Sequence, residues 1–339
     1  MGTALRDHFQ WGTMYRRLLC AALFVQISVS VCAAQLDDPS PHITPRTQRA
    51  LPGEMSPSSE KSSSLKVDVD LVLVPVTVTD RKDHLVLGLE KDSFTVFEGA
   101  NQQVIRHFSS EDAPISLGIL FDTSSSMYGK MDRSREAVIQ LLRSSNPSDE
   151  FFLIGFADRP ESLVDFTSSV EAIQDRISRA VPDGLTSLLD AVYLGLDKMK
   201  DAHNKRKALL IVSDGGEDHS RYTTKDVWSV VLEAGVQVYA MGIFDEAPRT
   251  KAERMGPDLL GALTNVSGGR TFPIHSLKKI GDAANQLAIE MRNEYLIGYR
   301  PNPVAHDGRW HRVAIRVAPP HNSNHLHVYA KAGYYAPAQ

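Results

Sequence analysis

Thiols are nearly absent from this chain: its 339 residues include only Cys20 and Cys32. Both fall in an amino-terminal stretch that reads as a removable leader. The remaining chain would then have no disulfide framework, no cysteine metal site and no cysteine nucleophile. Charge of one sign is also lacking. Against 37 Lys and Arg stand 41 Asp and Glu, for a net charge of −4, and nothing forms the basic stripe expected of a nucleic-acid partner. Long apolar runs are missing too. The longest candidate, 18–25, runs into Gln26, Ser28 and Ser30 and falls short of the roughly 20 residues that span a bilayer. Neither a Gly-x-Ser-x-Gly elbow, a His-Glu-x-x-His pair nor a phosphate-binding glycine loop is present, so the expectation is a binding protein and not an enzyme.

What is there begins with a secretion signal. Arg16-Arg17 precedes the apolar run, and Cys32, Ala33 and Ala34 supply a small-residue exit. The pattern predicts a signal peptide over 1–34, cleaved near Ala34, with either Met1 or Met14 as the start. Export to the periplasm, the cell envelope or the medium follows, with no transmembrane segment after cleavage. The leader holds three basic residues and one acidic one, so the mature net charge becomes −6. Residues 35–64 carry five prolines and seven serines without apolar periodicity. Such a segment buries too little to offset its ordering entropy and is expected to be a disordered tether.

From residue 65 the pattern turns to strands. Val67, Val69, Leu71 and Leu73 alternate with polar residues, and the apolar phase then shifts to Val72, Val74, Val76 and Val78. That shift beside Pro75 predicts a bulge on an edge strand. Further short strands are expected at 85–87, 94–97 and 104–108, completing an amino-terminal β-unit over 65–112. Between 113 and 293 the texture alternates strand and helix. Strands are expected at 117–121, 151–156, 163–166, 208–212, 236–243 and 271–274. Helices are expected at 133–143, 170–180, 187–200, 224–234, 257–265 and 277–292. Several strands are unbroken apolar runs, as when helices cover both faces of a mostly parallel sheet, so the fold class is doubly wound α/β. After Glu294 three more strands, 295–299, 310–317 and 326–330, are too few to stand alone. They are expected to complete the β-unit begun at residue 65, with Tyr295, Tyr299, Trp310, Tyr334 and Tyr335 packing it. His325, His327 and Tyr329 share one strand face, read as solvated.

The chemistry gathers at strand ends. The apolar strand 117–121 runs directly into Asp122-Thr123-Ser124-Ser125-Ser126, which puts one carboxylate and two hydroxyls at alternate positions before a helix. The strand 208–212 ends in Ser213-Asp214-Gly215-Gly216, and Thr186 stands in a loop before another helix, where it could also act as an N-cap. In open α/β sheets ligands bind beyond the carboxyl ends of the strands. Asp122, Ser124, Ser126, Thr186 and Asp214 all offer hard oxygen donors, the set that suits Mg²⁺.

These pieces resemble the metal-ion-dependent adhesion site of von Willebrand factor A domains, as found in integrins. The resemblance covers about half the chain. It implies that Ser124, Ser126 and Thr186 contact Mg²⁺ or Mn²⁺ directly, while Asp122 and Asp214 act through water. It also implies that the ion takes an Asp or Glu carboxylate of a protein partner as its last ligand. The flanking segments Val76-Thr77-Val78-Thr79-Asp80 and Gly333-Tyr334-Tyr335-Ala336-Pro337 resemble the bacterial VWFA-related proteins plentiful in Acidobacteria. The expected function is therefore metal-dependent protein adhesion outside the cytoplasm. The alternatives are an envelope scaffold with an empty site and, less favoured, a metal-dependent hydrolase.

Overall fold

A computed structural model describes residues 71–110, 112–248, 250–318 and 325–338. The expected signal peptide, the tether, and Val67 and Val69 lie outside the described residues. The chain opens with four strands: β1 (Val72–Thr79), β2 (Phe94–Glu98), β3 (Asn101–Gln103) and β4 (Ile105–Ser109). The alternating part follows as β5 (Ile115–Asp122), α1 (Met131–Leu142), β6 (Glu150–Phe156), β7 (Pro160–Thr167), α2 (Val170–Ser178) and α3 (Leu188–Lys198). It continues with β8 (Arg206–Ser213), α4 (Thr224–Ala234), β9 (Gln237–Ile243), α5 (Lys251–Ser267), β10 (Thr271–Ile274) and α6 (Ile280–Arg292). Four strands close the chain: β11 (Tyr295–Tyr299), β12 (Trp310–Val317), β13 (His327–Ala330) and β14 (Gly333–Tyr335).

The α/β layer is the expected doubly wound sheet. Its strand order is β10-β9-β8-β5-β6-β7, parallel throughout except for the antiparallel edge strand β7. All eight residues of β5 are buried, because helices cover both of its faces. Leu117, Ile119 and Phe121 point to the face packed by Val138 of α1, Ile173 of α2 and Leu287 of α6. Leu120 of β5 and Leu209 of β8 join Val192 of α3, Val227 of α4 and Leu260 of α5 on the other.

Strands from both flanks build the small antiparallel β-unit. One sheet has the order β13-β1-β11-β4 and the other β14-β12-β2-β3, so each combines strands from before and after the α/β layer. Val74, Val76 and Val78 of β1 share a core with Phe94, Val96, Tyr295, Ile297 and Tyr299. Tyr295 stacks 5.9 Å from Phe108 and donates its hydroxyl to the Val86 carbonyl at 2.8 Å. Trp310 meets Tyr335 edge-on at 5.2 Å. His325 and His327 are exposed.

Several local expectations give way. β1 keeps an unbroken register against β11 from Val72 to Val76, so it is not bulged, and β13 pairs its other side beyond Pro75, so it is an edge only over its first half. β13 pairs only with Val76 to Thr79. The ladder thus stops beside Pro75, which has no N–H to offer it. The expected strand at 85–87 reduces to one bridge, Leu85 to Thr79. Helix α5 starts six residues before Pro257, because Thr250 caps it by accepting from the Glu253 N–H at 3.1 Å. β3 and β14, each three residues long, carry too little alternation to be anticipated.

Candidate metal centre

The parallel register brings the critical loops to one level. Asp122 pairs with Phe156 across β5 and β6, and Phe121 with Val212 across β5 and β8. The strands therefore end side by side, and their loops leave from a common edge. Backbone hydrogen bonds then tie the loops together. Asp183 donates its N–H to the Thr123 carbonyl at 2.8 Å, and Ser125 donates to the Gly184 carbonyl at 2.9 Å. The Thr186 carbonyl accepts from the N–H groups of Asp218 and His219 at 3.2 and 3.0 Å.

On this frame the five predicted residues are brought together. Asp122, Ser124, Thr186 and Asp214 are buried, and Ser126 is half-buried. The hydroxyls of Ser124 and Ser126 lie 3.0 Å apart. Gly216 marks where the other oxygens converge. A Cβ placed there would lie 3.1 Å from Asp214 Oδ1, 3.7 Å from Thr186 Oγ1 and 3.8 Å from Ser126 Oγ. Gly215, at φ 77°, is required twice over. Its backbone is left-handed, and a Cβ would strike the Gly256 backbone of α5 at 2.5 Å.

Thr186 is not the N-cap of α3. That position belongs to Ser187, which makes no side-chain capping bond. The Thr186 hydroxyl consequently faces the site without a hydrogen-bond partner among the described residues. Asp122 is fixed from two sides: its Oδ1 accepts from the Ser124 N–H at 2.9 Å and its Oδ2 from the Ser213 hydroxyl at 2.5 Å. Burial, reinforced by the Asp214 carboxylate, pushes the Asp122 carboxyl up to about 7, although bonds from Ser213 and Ser124 favour the ionised form.

One further group belongs to the site although no motif announces it. Lys130 is buried, and its ammonium donates to Asp214 Oδ2 at 2.6 Å. The same ammonium lies 3.4 Å from Asp245, which Arg133 also holds at 2.8 Å. A lysine shortly after a serine-rich loop carries no signal of burial, since most lysines are exposed. Asp214 Oδ1 remains on the site side, where it accepts from the Gly216 N–H at 2.9 Å.

The donor set fits a hard divalent cation. Three hydroxyl oxygens keep lone pairs available, and one ammonium against two carboxylates leaves the cluster net negative. The Gly216 cradle leaves space at the point where those oxygens meet. A cleft of about 320 Å³ opens there, lined by Ser126, Leu185, Thr186, Gly216, Asp218 and Glu253. Leu185 is exposed in its wall; Tyr128, one residue beyond Met127, and Met255, beside Gly256, are exposed in neighbouring segments of the chain.

Residues 117–217 match the family model described as the von Willebrand factor type A domain. This segment is similar to a von Willebrand factor type A domain. The inter-alpha-trypsin inhibitor heavy chain 4 of Mus musculus is 30% identical over 130 residues, which cover 33% of this chain and 14% of that protein. The chain thus spans about one seventh of the length of that curated relative. A solved von Willebrand factor type A protein from Catenulispora acidiphila is 11% identical with a TM-score of 0.45, covering 79% of this chain and 75% of that one. The vWF domain of the type V pili tip protein Mfa5 from Porphyromonas gingivalis is 10% identical with a TM-score of 0.43, covering 52% of this chain and 94% of that one. The A-type domain matched by the family model contains Asp122, Ser124, Ser126, Thr186 and Asp214, with Lys130 among them.

Proposed function

We propose that this protein is a metal-dependent protein-binding module that works outside the cytoplasm, carried there by the leader at 1–34. Ser124, Ser126 and Thr186 hold Mg²⁺ or Mn²⁺ directly, and Asp122 and Asp214 act on it through water. The observation that carries this reading is the convergence of Ser126, Thr186 and Asp214 oxygens on the open side of Gly216. With Lys130 neutralising one carboxylate, a divalent cation turns the cluster from net negative to net positive. It then supplies an acceptor for an external Asp or Glu carboxylate, which completes both coordination and charge.

The protein's own residues shape the rest of the encounter. Leu185 gives the cleft an exposed apolar component, as in interfaces that bury aliphatic anchors around a polar centre. The domain boundaries 113–293 for the A-type domain and 65–112 with 294–339 for the β-unit belong to the same proposal. One observation favours the scaffold alternative: Lys130 already satisfies Asp214 Oδ2.

Calorimetry with Mg²⁺ and Mn²⁺ separates the two, using the mature chain and Asp122→Ala. The proposal requires one equivalent of metal bound by the wild type and a large loss in the variant. An absence of metal binding by the wild type would leave the scaffold. A pull-down from the exported proteome with and without EDTA then tests recognition, and capture indifferent to EDTA would sink the metal-bridged mechanism.

A further inference from the structure

At the amino-terminal ends of β8 and β9, away from the metal centre, the A-type domain and the β-unit enclose a cavity of about 590 Å³. Cavities of this size accept small molecules. Leu73, Val231, Val266 and Leu296 supply apolar wall. Leu73 is 42% exposed, although it belongs to a strand with three fully buried valines.

Two donors in this cavity lack acceptors. Lys331 follows β13 directly and has no hydrogen bond or ion pair among the described residues. Desolvation alone pulls its ammonium down to about 8, with no carboxylate working against it. Gln237 is 7% exposed, and its amide Nε2 is buried without a hydrogen-bond acceptor. Gln237 Nε2 carries the cost of a buried polar atom left unsatisfied, the half-buried Lys331 ammonium that of lost hydration, and an acceptor oxygen placed between the walls would relieve both.

The one acidic residue lining the cavity among those described is Glu294. It forms no salt bridge with Lys331, because it is engaged elsewhere: Tyr239 donates its hydroxyl to Oε1 at 2.5 Å. Burial pushes the Glu294 carboxyl up to about 7, so near neutrality it opposes an incoming anion only in part. The nearby Gln237 amide favours the ionised form of Glu294, but the two do not meet in hydrogen-bonding geometry. Apolar walls, an unpaired ammonium and an unpaired amide N–H together describe the complement of a carboxylate on an aliphatic body.

We propose that this cavity binds a medium-chain aliphatic carboxylate, with its head group on Lys331 and Gln237 and its chain along Leu73, Val231, Val266 and Leu296. This site is independent of the metal centre. The binding is non-covalent, and its specificity is for the anionic head.

Calorimetry on the full mature chain tests it with sodium decanoate, decanol and decyltrimethylammonium as probes. The expected result is one saturable decanoate site, with both head-group analogues at least tenfold weaker. Lys331→Met weakens decanoate at least tenfold and raises the thermal midpoint of the unliganded protein, because it removes a partly desolvated charge. Val266→Trp, checked for folding by circular dichroism, blocks the cavity, whereas Asp122→Ala leaves decanoate binding unchanged. Absence of saturable uptake by the wild type would overturn the proposal. So would equal affinity for the cationic amphiphile, or decanoate binding that survives unaltered in Lys331→Met.

Discussion

The two ends of one parallel sheet carry opposite chemistries. At the carboxyl ends of β5 and β8, Asp122 and Asp214 are held by many hydrogen bonds, and a buried lysine offsets one of them. At the amino ends of β8 and β9, the Gln237 amide is left without an acceptor, and with Lys331 it faces a cavity whose wall mixes apolar side chains with Lys205, Arg206 and Lys207. The carboxyl edge is a rigid oxygen cluster built from three interlocked loops. The amino edge is a cavity closed by residues of the flanking antiparallel strands, among them Leu73 and Leu296. The difference teaches that the crevice beyond the strand ends is fixed by the sheet itself, whereas the opposite end acquires a cavity only through what is attached to it.

The largest expected break in this contrast is at Lys130. Removing one partner of a buried ion pair strands the other charge, so Lys130→Met should lower unfolding stability by about 3–5 kcal/mol in chelator, as measured by urea denaturation. Added Mg²⁺ should restore some of that loss, because a ligand bound only by the folded state stabilises it by mass action. No restoration would mean that the ammonium and the metal do not share Asp214.

The next effect is at Glu294, in the wall of the cavity. Its folded pKa of about 7 lies above the ordinary glutamate value, so its contribution to stability is fully present below about 4.3 and is lost as pH rises to about 7. Glu294→Gln keeps an acceptor for Tyr239 and removes the titration. Its stability-versus-pH curve should lose a descending limb worth about 3 kcal/mol across that window. A curve superimposable on that of the wild type would show that Glu294 is not the group responsible.

A smaller effect is expected at the cradle. Gly216→Ala places a methyl group 3.1 Å from Asp214 Oδ1 and should weaken Mg²⁺ at least tenfold, about 1.4 kcal/mol, with little change in thermal midpoint. Full metal affinity in that variant would move the cation away from Gly216. The smallest effect belongs to the β-unit. His311 lies 2.8 Å from Glu98 and 3.2 Å from Asp307, and these partners raise its pKa against the opposing effect of burial. Its stabilisation is present below about 6.5 and is lost as pH rises through the raised value, so His311→Gln should cost at most about 1 kcal/mol at pH 6 and less at pH 9.

The two ends also differed in how far the sequence disclosed them. Unbroken apolar runs such as the one in β5 made the α/β layer legible, and Asp122-Thr123-Ser124-Ser125-Ser126 stood out because hydroxyls alternate directly after one of them. Lys130 did not stand out, since its burial depends on Asp214, 84 positions away. The cavity was illegible for a similar reason: Leu73, Gln237 and Lys331 meet only through long-range packing. Pro75 and Pro257 misled in the same way. Each was read as local punctuation, but β11 sustains the strand around one and the Thr250 cap starts the helix before the other.

The pairing of β4 with β11 sets how the α/β layer is joined to the antiparallel sheets. Ser109, the last residue of β4, lies opposite Leu296, the second of β11. The whole α/β domain therefore departs and returns through adjacent strands, as an overgrown hairpin loop. Such an insertion brings its own ends together, so hosting it costs the β-unit little closure entropy despite its length. It also means that a pull on the domain loads a two-stranded stem at its open end. There the ladder bonds break singly and in sequence, as in a zipper, and do not share the force.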